Sequence, residues 1–325
     1  MRLLRHVLLS LPAAAMVVLA TTAPASAQPE RTQDAHATTA SPAVAADGAR
    51  IDTLGAAEEV EEYWTPERMR NAIPVTPEEP GAGRSSGTAE QPGGPPGSTP
   101  AAAPSGEMRA KLVETSVAGK VFFTKPSDGK NYVCSASALN SGSKQMAITA
   151  GHCVHEGKGG DWMKNWAYVP QYRNGDKPYG TFVAKQMRTF NGWINDGSFD
   201  WDVAMVTTWP QGSDKLVNRT GGNGLSWNYS REQDVTINGY PGNKDNGQLQ
   251  WYCQGRTSNS GGKLALGCDF GGGSSGGPWM REFSESSGLG QTNGVTSTID
   301  SAGVNRSSYF GDSVKQMFDD QGSVT

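Results

Sequence analysis

The segment Gly272–Pro278, with the sequence GGSSGGP, places a serine between glycines. A nucleophilic serine has to lie on a tight turn whose backbone N–H groups point at the oxygen that becomes negatively charged. Glycines on both sides allow the dihedral angles of such a turn and leave space for a substrate. Ser275 is therefore a candidate nucleophile, although a flexible Gly/Ser loop without chemistry has the same composition.

A serine nucleophile needs a base, and the positions of the histidines limit both the candidate bases and the possible classes of hydrolase. The chain has four of them, at positions 6, 36, 152 and 155. The segment around Ser275 also fits the G-x-S-x-G pattern of α/β-hydrolases, but in those enzymes the histidine follows the serine, and here none does. The order that the chain offers is histidine, aspartate, serine.

His152 is the better candidate for the base. It follows the apolar stretch Ile148–Gly151, which predicts a strand that ends at the histidine. Cys153 can link this end to Cys134 on the preceding strand and so hold the imidazole in position. His155 is the competitor, but it lies in a loop that contains glycine and lysine, and we expect it to be solvated.

The third group has to accept a hydrogen bond from the other ring nitrogen of His152. Asp202 stands at the start of the apolar run Val203–Val206. A carboxylate there is partly buried and needs a partner, which a histidine provides. Asp200 lies on the same face by alternation and is the rival for this role.

These residues need a scaffold, and from about Leu112 the sequence consists of short apolar runs between Gly, Asn, Asp and Ser. Such spacing is typical of an all-β sandwich or barrel. One helix is predicted near the end, with Asp312 as its cap and an apolar stripe at Val314, Met317 and Phe318. The predicted strands are 120–124, 132–139, 146–150, 166–171, 181–188, 203–208, 235–240, 249–253 and 294–299.

Four segments together resemble the chymotrypsin-like (trypsin-like) serine endopeptidases, in the bacterial secreted branch near the glutamyl endopeptidases. They occur in the family order across about residues 112–320 and read TAGHC (149–153), DVAM (202–205), GYPG (239–242) and GSSGGP (273–278). The resemblance implies two six-stranded antiparallel β-barrels with the active site in the cleft between them. It also implies an oxyanion hole made by the N–H groups of Gly273 and Ser275, with no metal or organic cofactor.

The sequence departs from the family pattern beside the nucleophile. Trypsin-like zymogens carry an aspartate just before the serine, which pairs with the new N-terminal amine, whereas Ser274 has no charge. Glutamyl endopeptidases usually carry a histidine in the following strand to bind the substrate carboxylate, and Thr296 occupies that position here. The resemblance therefore does not support a preference for glutamate.

Asp269 is a tentative specificity residue. In trypsins an acid six positions before the nucleophile lies at the base of the primary pocket, and counting back six from Ser275 reaches Asp269. A carboxylate there would favour arginine or lysine in the substrate. Trypsins also carry a cysteine four residues before the serine, where this chain has Gly271. The alternative is that Asp269 is a solvated residue beside a disulfide.

The region before the predicted protease domain (residues 112–325) has a different composition. Residues 1–27 have a basic start, an apolar stretch and the cleavage pattern of a secretory signal peptide. Residues 28–111 are predicted to be a propeptide with a linker. Residues up to 73 are polar, and one short helix is expected after the cap Thr65, with Pro66 in its first position. Of residues 74–104, 8 are proline and 6 glycine, which predicts an irregular linker.

The four cysteines of an exported chain indicate two disulfides. Of the three possible pairings, closure of short loops favours Cys134–Cys153 and Cys253–Cys268. A zinc site at His152 and His155 is the weaker alternative, since no C-x-x-C pair accompanies it.

The net charge of −4 and the absence of a basic block exclude nucleic acid as an expected partner. We expect a secreted monomer that acts on protein or peptide substrates and does not bind a membrane. Two other functions stay open: an inactive protease homologue, and a carbohydrate-binding β module that uses some of the nine tryptophans.

Overall fold

The structure is a computed structural model that describes residues 35–76, 89–105 and 114–325. The predicted signal peptide and parts of the predicted propeptide lie outside the described residues. The five helices among the described residues are α1 (Leu54–Tyr63), α2 (Pro66–Asn71), α3 (Asn191–Asp196), α4 (Leu216–Thr220) and α5 (Asp312–Gly322). The strands of the first half are β1 (Thr38–Pro42), β2 (Ile73–Pro74), β3 (Gly97–Ser98), β4 (Ala118–Thr124), β5 (Asn131–Leu139), β6 (Met146–Thr149), β7 (Lys164–Pro170), β8 (Phe182–Phe190) and β9 (Ala204–Thr208).

The first half of the fold is a closed barrel. Its strands follow the order β8-β7-β4-β5-β6-β9, every neighbouring pair is antiparallel, and β9 pairs with β8 again. All seven residues of β4 are buried. Since successive side chains of a strand point to opposite faces, both faces of β4 are covered. The barrel interior covers one face, and a segment from the N-terminal region packs on the other.

The second half of the chain forms two further sheets. Its strands are β10 (Gly224–Trp227), β11 (Asp234–Gly239), β12 (Trp251–Arg256), β13 (Ser258–Ser260), β14 (Lys263–Gly267), β15 (Pro278–Ser284), β16 (Leu289–Val295), β17 (Thr298–Ile299) and β18 (Val304–Ser307). One sheet has the order β12-β11-β15-β16-β10-β3 and the other β13-β14-β18-β17. Both enclose a second hydrophobic cluster that includes Ile237, Leu264, Phe270 and Trp279.

The predicted all-β fold class is thus confirmed, with one closed six-stranded antiparallel barrel. In place of the predicted second six-stranded antiparallel barrel, the second half forms two sheets, and β10 pairs with β16 in parallel. The predicted strand 294–299 is interrupted, because Thr296 and Ser297 leave the ladder between β16 and β17. The short strands β10, β13, β14 and β18 were not predicted from the sequence. Each has only three to five residues, so a period-two alternation is hard to detect in them. The partners of β10 and β18 also lie far away in the sequence, whereas β13 and β14 form a local hairpin.

The N-terminal segment 35–72 is polar in composition, yet it packs on the barrel. Strand β1 pairs with residues 186–190 of β8. These residues lie beyond Phe182 and Val183, the part of β8 that pairs with β7. Trp64 is 1% exposed, contacts Phe122 of β4 and donates its Nε1–H to the carbonyl of Asn165 at 2.7 Å. Phe122 and Asn165 lie 58 and 101 residues further along the chain (122 − 64 and 165 − 64), which explains why local composition does not predict the burial. The expected helix after Thr65 is confirmed as α2, with Thr65 as its cap.

The linker also contributes structure. Strand β3 lies inside the stretch predicted to be irregular, and it pairs with β10. Glu90 accepts a hydrogen bond from the backbone N–H of Ser313, at the start of α5. The predicted cap of α5 is wrong by one residue: Gly311 is the N-cap, while the Asp312 carboxylate accepts from Asn228 at 2.6 Å. The apolar stripe of α5 is buried as expected.

The cysteines form the pairs Cys134–Cys153 and Cys253–Cys268, the same pairs that loop closure favours. The first links β5 to the end of β6, and the second links β12 to the segment after β14. None of the helices in the described residues is long and apolar enough to span a membrane.

The burial of Trp64 leads to a stability prediction. Trp64→Ala removes a fully packed indole and its hydrogen bond, so it should lower the free energy of unfolding by about 3–5 kcal/mol. Leu54→Ala is the matched control because Leu54 lies in the same segment and is 44% exposed. Urea unfolding followed by circular dichroism, in a Ser275→Ala background that prevents self-digestion, measures both. Equal, small effects would mean that the segment does not pack on the barrel.

Candidate active site

His152 lies at the end of β6, in the short 3-10 helix Gly151–Cys153. The disulfide from Cys153 to Cys134 anchors this turn to β5. The imidazole is 5% exposed, and the ring of Trp193 packs edge-on against it at 6.1 Å between centroids. The disulfide thus holds the turn that carries His152, and Trp193 holds its ring by packing.

Asp202 is fully buried and contacts His152 twice. Its Oδ2 lies 2.8 Å from the imidazole Nδ1, and its Oδ1 accepts from the backbone N–H of His152 at 2.8 Å. The hydroxyl of Ser297 donates to Oδ2 at 2.5 Å. Burial acts to raise the pKa of the Asp202 carboxyl, but His152 and Ser297 outweigh it and hold that pKa below its ordinary value. Asp202 is therefore ionised at neutral pH and orients the imidazole.

Asp200, the rival candidate, has a different neighbour. It belongs to the short 3-10 helix Phe199–Trp201, and its Oδ1 lies 3.5 Å from Nζ of Lys263. Both side chains are buried, at 3% and 8% exposure. Of the two aspartates, Asp202 is the one whose carboxylate contacts His152.

The loop that carries Ser275 is fastened to the first barrel by Ser135 of β5. The Ser135 hydroxyl donates to the carbonyl of Gly273 at 2.9 Å, and its backbone N–H donates to the carbonyl of Ser275 at 2.6 Å. Gly273 and Gly276 have φ angles of 90° and 82°, in the region that favours glycine. A Cβ on Gly276 would lie 2.0 Å from Oγ1 of Thr149, so no larger residue fits there. Ser135 and Ser297 were not predicted as site residues, since a lone serine in a strand or in the gap between two strands carries no motif.

Ser275 is 3% exposed, and it neighbours the His152 turn. The Sγ of Cys153 lies 3.7 Å from the Ser275 carbonyl oxygen. Within the described part of the chain, however, His152 Nε2 is buried without a hydrogen-bond partner. The structure therefore brings the serine and histidine segments together but does not form the hydrogen bond between Nε2 and the Ser275 hydroxyl. In free enzymes this bond is often long and tightens when substrate binds.

The backbone N–H of Gly273, one of the two expected oxyanion-hole donors, already has an acceptor. It donates to the carbonyl of Val75 at 2.9 Å. Val75 belongs to the N-terminal region, so a segment of the same chain lies at the point where an oxyanion would bind.

A small cavity opens beside Ser275, and its lining is uncharged. Thr296, the residue at the expected position of a histidine, contributes to this lining and is 2% exposed. Its hydroxyl accepts from the indole N–H of Trp279 at 2.9 Å, so it is anchored by the core. The cavity is lined by Thr76, Phe270, Gly271, Gly272, Ser274, Ser275, Thr296, Ser297, Thr298, Ile299 and Asn305.

Asp269 does not line this cavity. Its side chain is 66% exposed, lies 3.5 Å from Nζ of Lys244 and accepts from the amide of Asn243 at 3.2 Å. The geometry favours the alternative of a solvated acid beside the Cys253–Cys268 disulfide over a carboxylate at the base of a pocket.

His155 is not solvated, contrary to expectation. It is 4% exposed and packs against Trp162, and its Nδ1 accepts from the backbone N–H of Gly157 at 3.0 Å. Burial lowers the pKa of the imidazole. The His155 ring therefore supports the loop and is not a second candidate base.

Cys134, Cys153 and His152 place their ligand atoms within 4.8 Å of one another, as a metal site would. Both sulfur atoms belong to one disulfide, so neither is a thiolate that could bind a metal. The residues at this point do not fit the zinc alternative.

Comparisons with known proteins agree with the geometry. No protein-family model matches the chain. A glutamyl endopeptidase from Bacillus licheniformis is 33% identical over 147 residues, 44% of this chain and 44% of that protein. The match therefore spans less than half of that relative's length.

Solved structures match over a larger part of the chain. The protease Anisep from Arthrobacter nicotinovorans is 29% identical with a TM-score of 0.61, over 69% of this chain and 100% of that one. The thermostable serine protease AL20 from an extremophilic microorganism is 28% identical with a TM-score of 0.61, over 65% and 99%. In sequence and fold this chain is similar to chymotrypsin-like serine endopeptidases. A Glu endopeptidase structure, 18% identical with a TM-score of 0.52 over 63% of this chain and 90% of that one, shares the protease fold.

The exposure of Asp269 leads to a prediction about substrate specificity. Asp269→Asn should leave kcat/KM for arginine and lysine substrates within about twofold, since the exposed carboxylate is screened by water. Parallel assays on substrates with arginine, lysine, leucine and phenylalanine before the cleaved bond measure it. A loss of more than tenfold confined to arginine and lysine would show that Asp269 reads the substrate side chain after all.

Proposed function

We propose that this chain is a secreted serine endopeptidase that hydrolyses peptide bonds through Ser275, His152 and Asp202. The observation that carries the proposal is the buried hydrogen bond between Asp202 and Nδ1 of His152, 2.8 Å long, beside a glycine-flanked serine. An ionised carboxylate at Nδ1 keeps the proton on that nitrogen, so Nε2 is left as the base. Nε2 is the atom that has to take the proton of a serine hydroxyl.

The proposed mechanism has two halves with an acyl-enzyme between them. His152 takes the proton of Ser275 as the hydroxyl oxygen attacks the peptide carbonyl, and Asp202 stabilises the imidazolium. The N–H groups of Gly273 and Ser275 bind the oxyanion, and His152 then protonates the leaving amine. Water repeats the attack on the acyl-enzyme and releases the acid. No metal or organic cofactor enters these steps.

We further propose the chain's processing and setting. Residues 1–27 are a signal peptide, residues 28–111 a propeptide with linker, and residues 112–325 the protease domain of a secreted zymogen. The uncharged Ser274 supports activation without the ion pair of trypsin-like zymogens. The enzyme acts as a monomer on protein or peptide substrates, with no nucleic-acid or membrane partner.

Two of the matched proteins are named for glutamate, and this chain differs from the pattern expected of them. The cavity beside Ser275 is lined by hydroxyl, apolar and amide groups, with Thr296 bonded to Trp279. A substrate carboxylate would find no cation among the residues that line it. We therefore propose an uncharged residue before the cleaved bond, and we do not propose a preference for glutamate.

The role of Ser275 is tested by replacement. Ser275→Ala should lower kcat on a peptide amide by about 10⁶-fold, because the nucleophile of a working triad is lost. Ser274→Ala is the matched control: that hydroxyl donates to the carbonyls of Gly271 and Phe270, and its loss should cost less than tenfold. If purified Ser275→Ala keeps a tenth of the wild-type rate, Ser275 is not the nucleophile.

The choice between the two aspartates leads to a second prediction. Asp202→Asn should lower kcat by about 10⁴-fold with little change in KM, since an amide at this position favours the wrong tautomer of His152. Asp200→Asn should keep kcat within tenfold, although it weakens the contact with Lys263 and lowers the melting temperature. Steady-state kinetics and thermal unfolding of both variants separate the roles. A larger kcat loss in Asp200→Asn would reverse the assignment.

A further inference from the structure

We propose that residues Ile73–Thr76 are an inhibitory strand that binds in the active-site cleft of the unprocessed chain. In this position the backbone carbonyl of Val75 accepts the hydrogen bond from the N–H of Gly273, which is one of the two expected oxyanion-hole donors. The inference rests on the proposed function, since it concerns how the same site is regulated. The ligand of the cleft is here an extended, proline-containing peptide supplied by the chain itself.

Val75 is the centre of the contact. Its backbone N–H donates to the carbonyl of Val133 at 3.1 Å, and its carbonyl accepts from the N–H of Gly273 at 2.9 Å. Val133 belongs to β5 of the barrel, and Gly273 belongs to the loop of the nucleophile. Val75 therefore bridges the two walls of the cleft by backbone hydrogen bonds, which do not depend on its side chain.

The residues around Val75 extend this contact. Ile73 and Pro74 pair in parallel with Tyr132 and Val133 of β5. On the other side, Thr76 lines the small cavity beside Ser275. The inhibitory strand thus runs from the edge of β5 across the oxyanion hole to the nucleophile.

The register of the inhibitory strand protects it from cleavage. In a peptide bound for hydrolysis, the residue whose carbonyl lies in the oxyanion hole also places its own side chain in the primary pocket. Here the carbonyl at Gly273 belongs to Val75, whereas the cavity beside Ser275 is lined by the next residue, Thr76. The oxyanion hole thus holds the carbonyl of Val75, whereas the primary pocket is lined by Thr76. Because these two groups belong to different residues, the strand is not placed for attack by Ser275 and does not form an acyl-enzyme.

The chain around the inhibitory strand favours the bound state. Ile73 and Thr76 each precede a proline in the sequence, and a residue before proline is restricted to extended conformations. The strand therefore loses little conformational freedom on binding. The preceding segment is anchored on the barrel by Trp64 and Met69, which are 1% and 0% exposed. This tether gives the strand a high effective concentration at the cleft.

The state of the catalytic groups agrees with inhibition. Ser275 and His152 are only 3% and 5% exposed while the N-terminal region lies in the cleft. In the described residues, Nε2 of His152 has no hydrogen-bond partner. Processing that releases the inhibitory strand would free the N–H of Gly273 to bind an oxyanion and would expose Ser275 to substrate.

The test measures labelling of the full-length precursor by a serine-directed phosphonate, with precursor and processed enzyme distinguished by intact mass. Val75→Pro removes the N–H that bonds to Val133, and its ring disturbs the strand. Val75→Ala is the matched control because it keeps both backbone groups. We expect the wild-type and Val75→Ala precursors to be labelled at least about tenfold more slowly than both the Val75→Pro precursor and the processed enzyme.

Two results would overturn the inference: a wild-type precursor labelled as fast as the processed enzyme, or a Val75→Pro precursor labelled no faster than Val75→Ala. Failure of the proposed function has a different signature, because then neither precursor nor processed enzyme would be labelled at Ser275.

A second measurement needs no change in the strand and so does not depend on how Val75→Pro folds. In the Ser275→Ala precursor, hydrogen exchange of the Gly273 amide should be at least tenfold slower than in the same protein after a trace of wild-type enzyme has trimmed it. The paired amides of β11 and β15 in the second half serve as internal references and should not change. Equal exchange at Gly273 before and after trimming would contradict the inference.

Discussion

The ionised carboxylate of Asp202, fully buried, is the constraint on which the rest of the site depends. An unpaired charge in a protein interior costs several kcal/mol, so its position is tolerated only with several donors around it. Asp202 has three: the backbone and the ring of His152, and the hydroxyl of Ser297. The same hydrogen bonds that stabilise the charge also fix the tautomer and orientation of the imidazole.

These donors come from different parts of the fold, which links the site to the whole architecture. His152 follows β6 of the closed barrel, whereas Ser297 lies between β16 and β17 of the second half. The break between those two strands is what turns Ser297 toward Asp202. Conversely, Ser135 of the barrel donates hydrogen bonds to the carbonyls of Gly273 and Ser275 in the second half. Each half therefore positions catalytic groups of the other, and a change in their packing would disturb the histidine and the serine together.

The N-terminal region also contacts both the barrel and the cleft. Its segment 35–72 covers the outer face of the barrel, and the inhibitory strand continues from it into the cleft. A protease that folds with its own chain in the oxyanion hole needs no charged residue beside the nucleophile to control activity, which fits the uncharged Ser274. Control by the proposed inhibitory strand is steric and depends on backbone hydrogen bonds, so we expect it to be released by cutting the chain and not by forming a new ion pair.

Much of the site follows from local sequence. Ser275 lies between glycines, His152 ends an apolar run, and Asp202 begins one. These are local patterns, and together with the order of the three residues they predict the chemistry without a structure. The all-β class and the loop-closing disulfides are local in the same sense, because short apolar runs and short cysteine spacings can be read within a window of some twenty residues.

Contacts between distant residues had to be decided by the tertiary structure. Asp200 and Asp202 are equivalent by alternation, and only the positions of Lys263 and His152 separate them. His155 is buried by Trp162, Ser297 is turned by a broken strand, and Trp64 finds its partner about a hundred residues away at Asn165. The course of Val75 through the cleft belongs to the same group: its composition predicts an irregular linker, and its hydrogen bonds to Val133 and Gly273 exist because the fold brings three distant segments to one point.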